Sequence, residues 1–229
     1  MTDLLLLAMS RLPGGGVSIA GMTTEPDPIT GLRWVRPITH KALTLEDLRY
    51  VDGTLPRLGD VLALELGEAM PEPPYIENVM VQQGFAPTQR IRSLSAAKRL
   101  PFFNTHLDPA PEEILRSSRS RSLCLVKPDD MVATFAVDEE TGVYEARLVV
   151  HIGRLHSSDQ GVLVTDLYWR AWGRQLLGDE PFAEFDAAAL REQAGDLFVV
   201  IGLNRKGAPV VVGVHPAQSS TVELDEDAL

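Results

Sequence analysis

Apolar residues along this chain come in short runs closed by glycine, proline or charge, and few runs are long enough for a helix. Leu4 to Met9 is almost wholly apolar and ends at Leu12-Pro13-Gly14-Gly15-Gly16, where three glycines open backbone conformations other residues avoid and predict a tight turn. Val17 to Thr23 predicts a second strand beside the first. Glu25-Pro26-Asp27-Pro28 fixes two φ angles and predicts a loop. Leu32 to Ile38 predicts a third strand, its alternation setting Arg33 and Val35 on one face and Trp34 and Arg36 on the other. Thr44 is placed to cap a short helix from Leu45 to Tyr50, with Asp47 in place of Glu or Gln making an imperfect capping box. Asp60 to Leu66 and Tyr75 to Gln82 predict two more strands, separated by Pro71-Glu72-Pro73-Pro74. Five short strands with irregular connections suit a small, partly open barrel, and spacing does not choose between barrel types.

Ser93 to Leu100 and Pro109 to Ser117 predict two short helices, the second capped by Asp108 with Pro109 in its first position. Strands resume at Ser122 to Val126, Met131 to Val137, Val143 to Ile152 and Gly161 to Thr165, with a hairpin turn at Asp138-Glu139-Glu140-Thr141-Gly142. Asp166 to Leu177 and Asp186 to Ala194 carry helical spacing, and Leu197 to Leu203 with Pro209 to Val214 predict a closing hairpin around Asn204-Arg205-Lys206-Gly207. Trp34-Val35-Arg36-Pro37 and Leu125-Val126-Lys127-Pro128 echo one another, which points to a duplicated plan.

Composition supports a packed core, with 45% hydrophobic and 23% charged residues in 229. The single cysteine, Cys124, excludes an intramolecular disulfide, and its apolar run reads as a buried strand rather than a reactive thiol. No run approaches a membrane span, and the apolar run after Asp3 lacks the basic start of a signal peptide, so the expected location is cytoplasmic. A net charge of −11 opposes phosphate binding over the molecule as a whole. The charge is segregated, however. Between Gly84 and Lys127 lie eight basic residues (Arg90, Arg92, Lys98, Arg99, Arg116, Arg119, Arg121 and Lys127) against three acids, while Glu223, Asp225, Glu226 and Asp227 crowd the end.

Motif patterns exclude several chemistries. The glycine triplet is not a phosphate loop, since GxxxxGK[ST] is absent, and neither GxGxxG nor GxSxG occurs. One cysteine and five scattered histidines do not build a thiolate zinc site. His106 with Asp108, and His151 with His156 and Asp159, could meet for acid–base or metal chemistry, but each reads more simply as a loop or strand-end group. His40 and His215 read as strand-end residues. Asp166, after Thr165, reads first as a helix cap. No catalytic residue, metal ligand or cofactor is assigned.

Taken together, Ser10, Gly14-Gly15, Ile19-Ala20-Gly21, Trp34-Val35-Arg36-Pro37, Asp60-Val61 and Glu77-Asn78 resemble the N-terminal half of the bacterial dual OB domain-containing proteins. Leu125-Val126-Lys127-Pro128, Val164-Thr165-Asp166, Ile201-Gly202-Leu203 and Gly213-Val214-His215-Pro216 are similar to the second half. Leu12-Pro13 interrupts the family's serine–basic–glycine opening. The resemblance implies a mainly β (α+β) fold of two tandem small OB-like β-barrels, with short helices inserted between and within them. Together with the strand pattern and the segregated charge, it divides the chain into a first barrel over 1–88, a basic helical linker over 89–119, a second barrel with helices over 120–216 and an acidic flexible tail over 217–229. The resemblance also implies nucleic-acid transactions or a prokaryotic defence or repair assembly, and brings no catalytic residues.

The leading expectation is a non-catalytic module for single-stranded DNA or structured RNA. Arg36, Lys127, Arg147 and Trp34 would meet it from strands, and Arg90, Arg92, Lys98, Arg99, Arg119 and Arg121 would track its phosphates. The alternatives are an adaptor whose barrels hold partner proteins, and a hydrolase or nucleotide-processing enzyme using Asp166 with His151 or His156.

Overall fold

The computed structural model describes residues 1–28, 30–82, 89–116, 121–153, 155–217 and 222–224. Ser117, Arg119 and the tail acids Asp225, Glu226 and Asp227 lie outside the described residues. The first half holds β1 (Thr2–Arg11), β2 (Val17–Thr23), β3 (Trp34–Ile38), α1 (Leu45–Leu48), β4 (Asp60–Leu64), β5 (Leu66–Ala69), β6 (Asn78–Val81) and β7 (Gln89–Ser93). The strands form one sheet in the order β5-β6-β3-β2-β1-β4-β7. The glycine triplet turns as expected, with the Leu12 N–H donating to the Gly16 carbonyl at 2.7 Å. The capping box is complete despite its short acid: Asp47 accepts from the Thr44 N–H at 2.8 Å, and Thr44 Oγ1 from the Asp47 N–H.

The OB-like fold does not close into barrels: in the first half the hydrogen-bonded order is open and ends at β5 and β7. Only Glu65 separates β4 from β5, yet β4 pairs with β1 while β5 pairs with β6. One bent segment therefore borders both sides of the sheet and curls it. β7 was not foreseen: Gln89-Arg90-Ile91-Arg92-Ser93 is polar, as an edge strand with one free side can be.

Two helices follow, α2 (Ala96–Thr105) and α3 (Pro111–Arg116). Asp108 does not cap α3, which starts later and takes Pro111 in its first position. The Asp108 carboxylate instead accepts the Leu125 N–H at 2.7 Å and the Arg121 guanidinium.

The second half holds β8 (Leu123–Val126), β9 (Asp130–Val137), β10 (Tyr144–Ile152), β11 (Leu155–His156), β12 (Val162–Leu163), α4 (Leu167–Leu177), β13 (Phe182–Phe185), α5 (Ala187–Ala194), β14 (Leu197–Leu203) and β15 (Pro209–Pro216). One sheet runs β15-β14-β8, and the other β11-β10-β9-β13 with β12 also on β10. The segment after β12 stitches the two sheets. The Val164 N–H donates to Ala146 on β10 and the Thr165 N–H to Val211 on β15, both at 2.8 Å.

The halves meet at β1. The Arg11 N–H donates to the Thr165 carbonyl at 2.8 Å, and the His215 ring Nε2 donates to the Leu7 carbonyl at 2.7 Å. Leu7, Ala8 and Trp34 share one cluster with Phe103, Leu123, Leu125 and Phe198. Phe103 is fully buried and stacks on Phe198 with ring centres 4.9 Å apart. Burying a side chain of this size stabilises by roughly 1.5–3 kcal/mol. Among the described residues no helix is long and apolar enough to cross a membrane.

Gly213 brings β15 against β1, and a Cβ there would collide with the Leu7 carbonyl oxygen, a backbone atom that cannot swing aside. Gly213→Ala is expected to destabilise the fold by about 2–3 kcal/mol in urea unfolding. Gly202→Ala, where the nearest neighbours are side-chain methyls at 3.3 Å, is expected to cost less than half as much.

Candidate nucleic-acid interface

Cross-strand pairing lines up Met22 on β2, Leu5 on β1, Val61 on β4 and Arg92 on β7 in one row. Leu5 and Met22 are half-buried, so the row makes an apolar floor with a cation at its edge. Above it lies α2, whose spacing puts Lys98, Phe102 and His106 at successive four-residue steps on one face. Phe102 and His106 stack with ring centres 4.2 Å apart, and His106 Nδ1 donates to the Phe102 carbonyl at 2.8 Å. Arg33, just before β3, supplies a third exposed cation; its carbonyl is held by the Thr23 N–H at 2.9 Å. Floor, helix face and arginines enclose a cleft of about 420 Å³. Its one acid, Asp3, stands 3.7 Å from Arg92, too far for a good hydrogen bond.

The cleft gathers only Arg92 and Lys98 of the residues expected at the interface, and adds Arg33, Phe102 and His106. Arg99, next to Lys98, points to the other side of α2 and is buried. Arg36 is enclosed: its guanidinium lies 3.1 Å from the fully buried Glu77, donates to Ser122 Oγ at 3.0 Å and covers the Tyr75 ring. Ser122 donates its N–H and its hydroxyl to the same Glu77 carboxylate. Burial lowers the Arg36 pKa while Glu77 opposes the shift. Trp34 is 2% exposed and belongs to the core. Arg90 sits over the Tyr50 ring, and Arg121 is bound to Asp108. Lys127 is paired with Asp196 at 2.8 Å and Arg147 with Glu145 at 3.0 Å. Arg119 lies outside the described residues.

Asp166 caps α4 as read, accepting the Trp169 N–H at 2.8 Å, and its second oxygen accepts the Val214 N–H at 2.7 Å. His151 and His156 face each other across β10 and β11 with ring centres 4.8 Å apart. Among the described residues no hydrogen bond joins Asp166 to either histidine, and no group of three or more potential ligands could hold a metal. Cys124 is fully buried, and burial pushes its thiol up to about 12.

Burial raises Asp166 to about 7 against the lowering effect of its backbone donors, and lowers His215 to about 3. The folded chain therefore keeps a proton on Asp166 that the unfolded chain loses above about pH 4, so this group costs stability as pH rises to about 7. The unfolded chain protonates His215 below about pH 6.5 while the folded chain refuses that proton, so this group costs stability as pH falls. Between about pH 4.5 and 6 the two slopes oppose. Asp166→Asn is expected to make stability rise more steeply with pH than in the parent, and His215→Gln less steeply. Each change approaches about 1.4 kcal/mol per pH unit in urea unfolding.

Comparison with curated proteins and with solved structures finds no match. The family model of the dual OB-containing domain matches residues 2–168, from β1 through the start of α4. That span takes in the whole cleft and most of the described strands, and the chain belongs to the dual OB-containing domain family.

Proposed function

We propose that this chain is a binding module for single-stranded nucleic acid, held in the cleft between β1, β2, β4, β7 and α2. The observation that carries this reading is the grouping of Arg33, Arg92 and Lys98 around an apolar floor beside the stacked Phe102 and His106. Single-strand binders combine cations that follow the backbone with flat side chains and apolar surface that accept bases of any sequence. The three cations face one acid, so the cleft is locally positive on a chain of net charge −11. A local patch of this kind steers an anion despite an opposite overall charge. The wider basic segment contributes less than its composition promises, because Arg121 and Lys127 are neutralised by Asp108 and Asp196.

Fluorescence anisotropy with short single-stranded DNA and RNA tests the reading. Three phosphate contacts predict a slope of about −2 in log K against log salt, at about −0.7 per contact. Arg33→Glu with Lys98→Glu is expected to weaken binding at least tenfold for every sequence tried. Charge reversal at Glu145 and Arg147 on the second sheet is expected to leave it unchanged. Unaltered binding in the cleft variant, or no binding at low salt, overturns the reading; salt-independent capture of a protein partner would favour an adaptor instead.

A further inference from the structure

A second, smaller pocket of about 210 Å³ adjoins the cleft and shares Ser93 and Leu94 with it as a common wall. Its lining includes Arg57, Gly59, Asp60, Arg99 and Tyr168, so it lies between β4, β7, α2 and the start of α4. Arg99 is only 9% exposed. Among the described residues its Nε has no hydrogen-bond partner, its side chain makes no hydrogen bond, and no carboxylate lies within ion-pair distance of it. A Cβ added at Gly59, on the pocket wall, would still stand 3.7 Å from the guanidinium. A guanidinium stays charged when buried, and a buried charge is costly without a partner.

The one acid in the pocket is already committed. The Asp60 carboxylate accepts from the Tyr50 hydroxyl at 2.8 Å, from the Arg57 N–H at 2.9 Å and from the Ser93 hydroxyl. Burial, then the Asp60 charge, push the Tyr50 hydroxyl above its ordinary range, so it remains a donor to that carboxylate. Asp60 acts on Arg99 through space but does not meet its donors. Nearby His215 is neutral and adds no charge. What remains is a forked donor without an acceptor, with a second arginine, Arg57, on the same wall. Fork geometry of this kind matches the oxygens of phosphate two at a time.

We propose that the Arg99 pocket receives a phosphomonoester, and that its source is the terminal phosphate of the strand lying in the adjoining cleft. This deepens the cleft reading and rests on it for the source, while the phosphate chemistry stands on Arg99. The strand passes Ser93 and Leu94, and its end group takes the place of a counter-ion on Arg99.

The test compares internally labelled single strands of one sequence ending in 5′-phosphate, in 3′-phosphate or in hydroxyls only. One phosphorylated end is expected to bind at least tenfold more tightly than the hydroxyl strand. Arg99→Gln is expected to abolish that preference while leaving the hydroxyl strand's affinity within twofold. Equal binding of all three strands overturns the terminal-phosphate assignment and leaves the cleft reading standing. Should no strand bind, the cleft reading falls. Titration of the unmodified protein with inorganic phosphate and with a nucleoside monophosphate, followed by amide shifts, then decides the pocket alone. Shifts confined to Gly59, Ser93, Leu94 and Arg99 support a free phosphomonoester, and their absence overturns the proposal. That titration also decides the matter if Arg99→Gln does not fold.

Discussion

The fold depends on one hydrogen bond inside a fully buried seam, from His215 Nε2 on β15 to the Leu7 carbonyl on β1. The β1–β2 register shifts between Leu6 and Ala8, which turns backbone groups of β1 away from its neighbours there. The released carbonyls are satisfied elsewhere: Leu6 by the Gly59 N–H at 2.8 Å, Leu7 by the histidine. Glycine at 213 lets the last strand approach closely enough for that ring to reach its acceptor. A buried carbonyl left without a donor costs about 1–3 kcal/mol, so the bulge, the glycine and the histidine form one unit. Among the described residues His215 Nδ1 has no partner, consistent with a neutral ring whose single proton sits on Nε2.

This seam also sets where α2 lies. Phe103 packs against Phe198 and His215, which fixes the inward face of the helix. Its rotation then turns Lys98, Phe102 and His106 outward over the row from Met22 to Arg92. The cleft is therefore made by the join between the halves as much as by the sheet that floors it. A change that loosens Phe103 would move the cations of the helix relative to those of β3 and β7.

Much of this was legible in sequence, because strands obey short-range rules. The glycine triplet, the Asp138 turn, the closing hairpin and the Asp166 cap all follow from residues within a few positions of one another, and each stands where it was read. β7 was hidden, since an edge strand needs no alternation of apolar residues, and α3 begins beyond its apparent cap because Asp108 finds a better donor in Leu125. The charge segregation pointed to the segment from which Arg92 and Lys98 reach the cleft. It could not separate Lys98 from Arg99, a distinction set by helical phase once α2 runs past Pro101. Arg33 gave no local signal, and Glu77 as the partner of Arg36 is a long-range pairing that no spacing rule encodes. The echoing segments Trp34–Pro37 and Leu125–Pro128 take different places, for β3 is internal to its sheet while β8 is an edge of another.

Arginines in this chain are sorted by their partners, and counting them says little. Arg36 and Arg99 are both mostly buried, and burial lowers the pKa of both. Arg36 stands against Glu77, Ser122 and the Tyr75 ring, an enclosed set in which removing one member would strand the others. Arg99 has no such set among the described residues, because Tyr50, Ser93 and the Arg57 amide already occupy the Asp60 carboxylate. The first arrangement ties β3 and β6 to the segment entering β8 and is complete in itself. The second leaves hydrogen-bonding capacity facing a pocket, at a cost the surrounding core must offset.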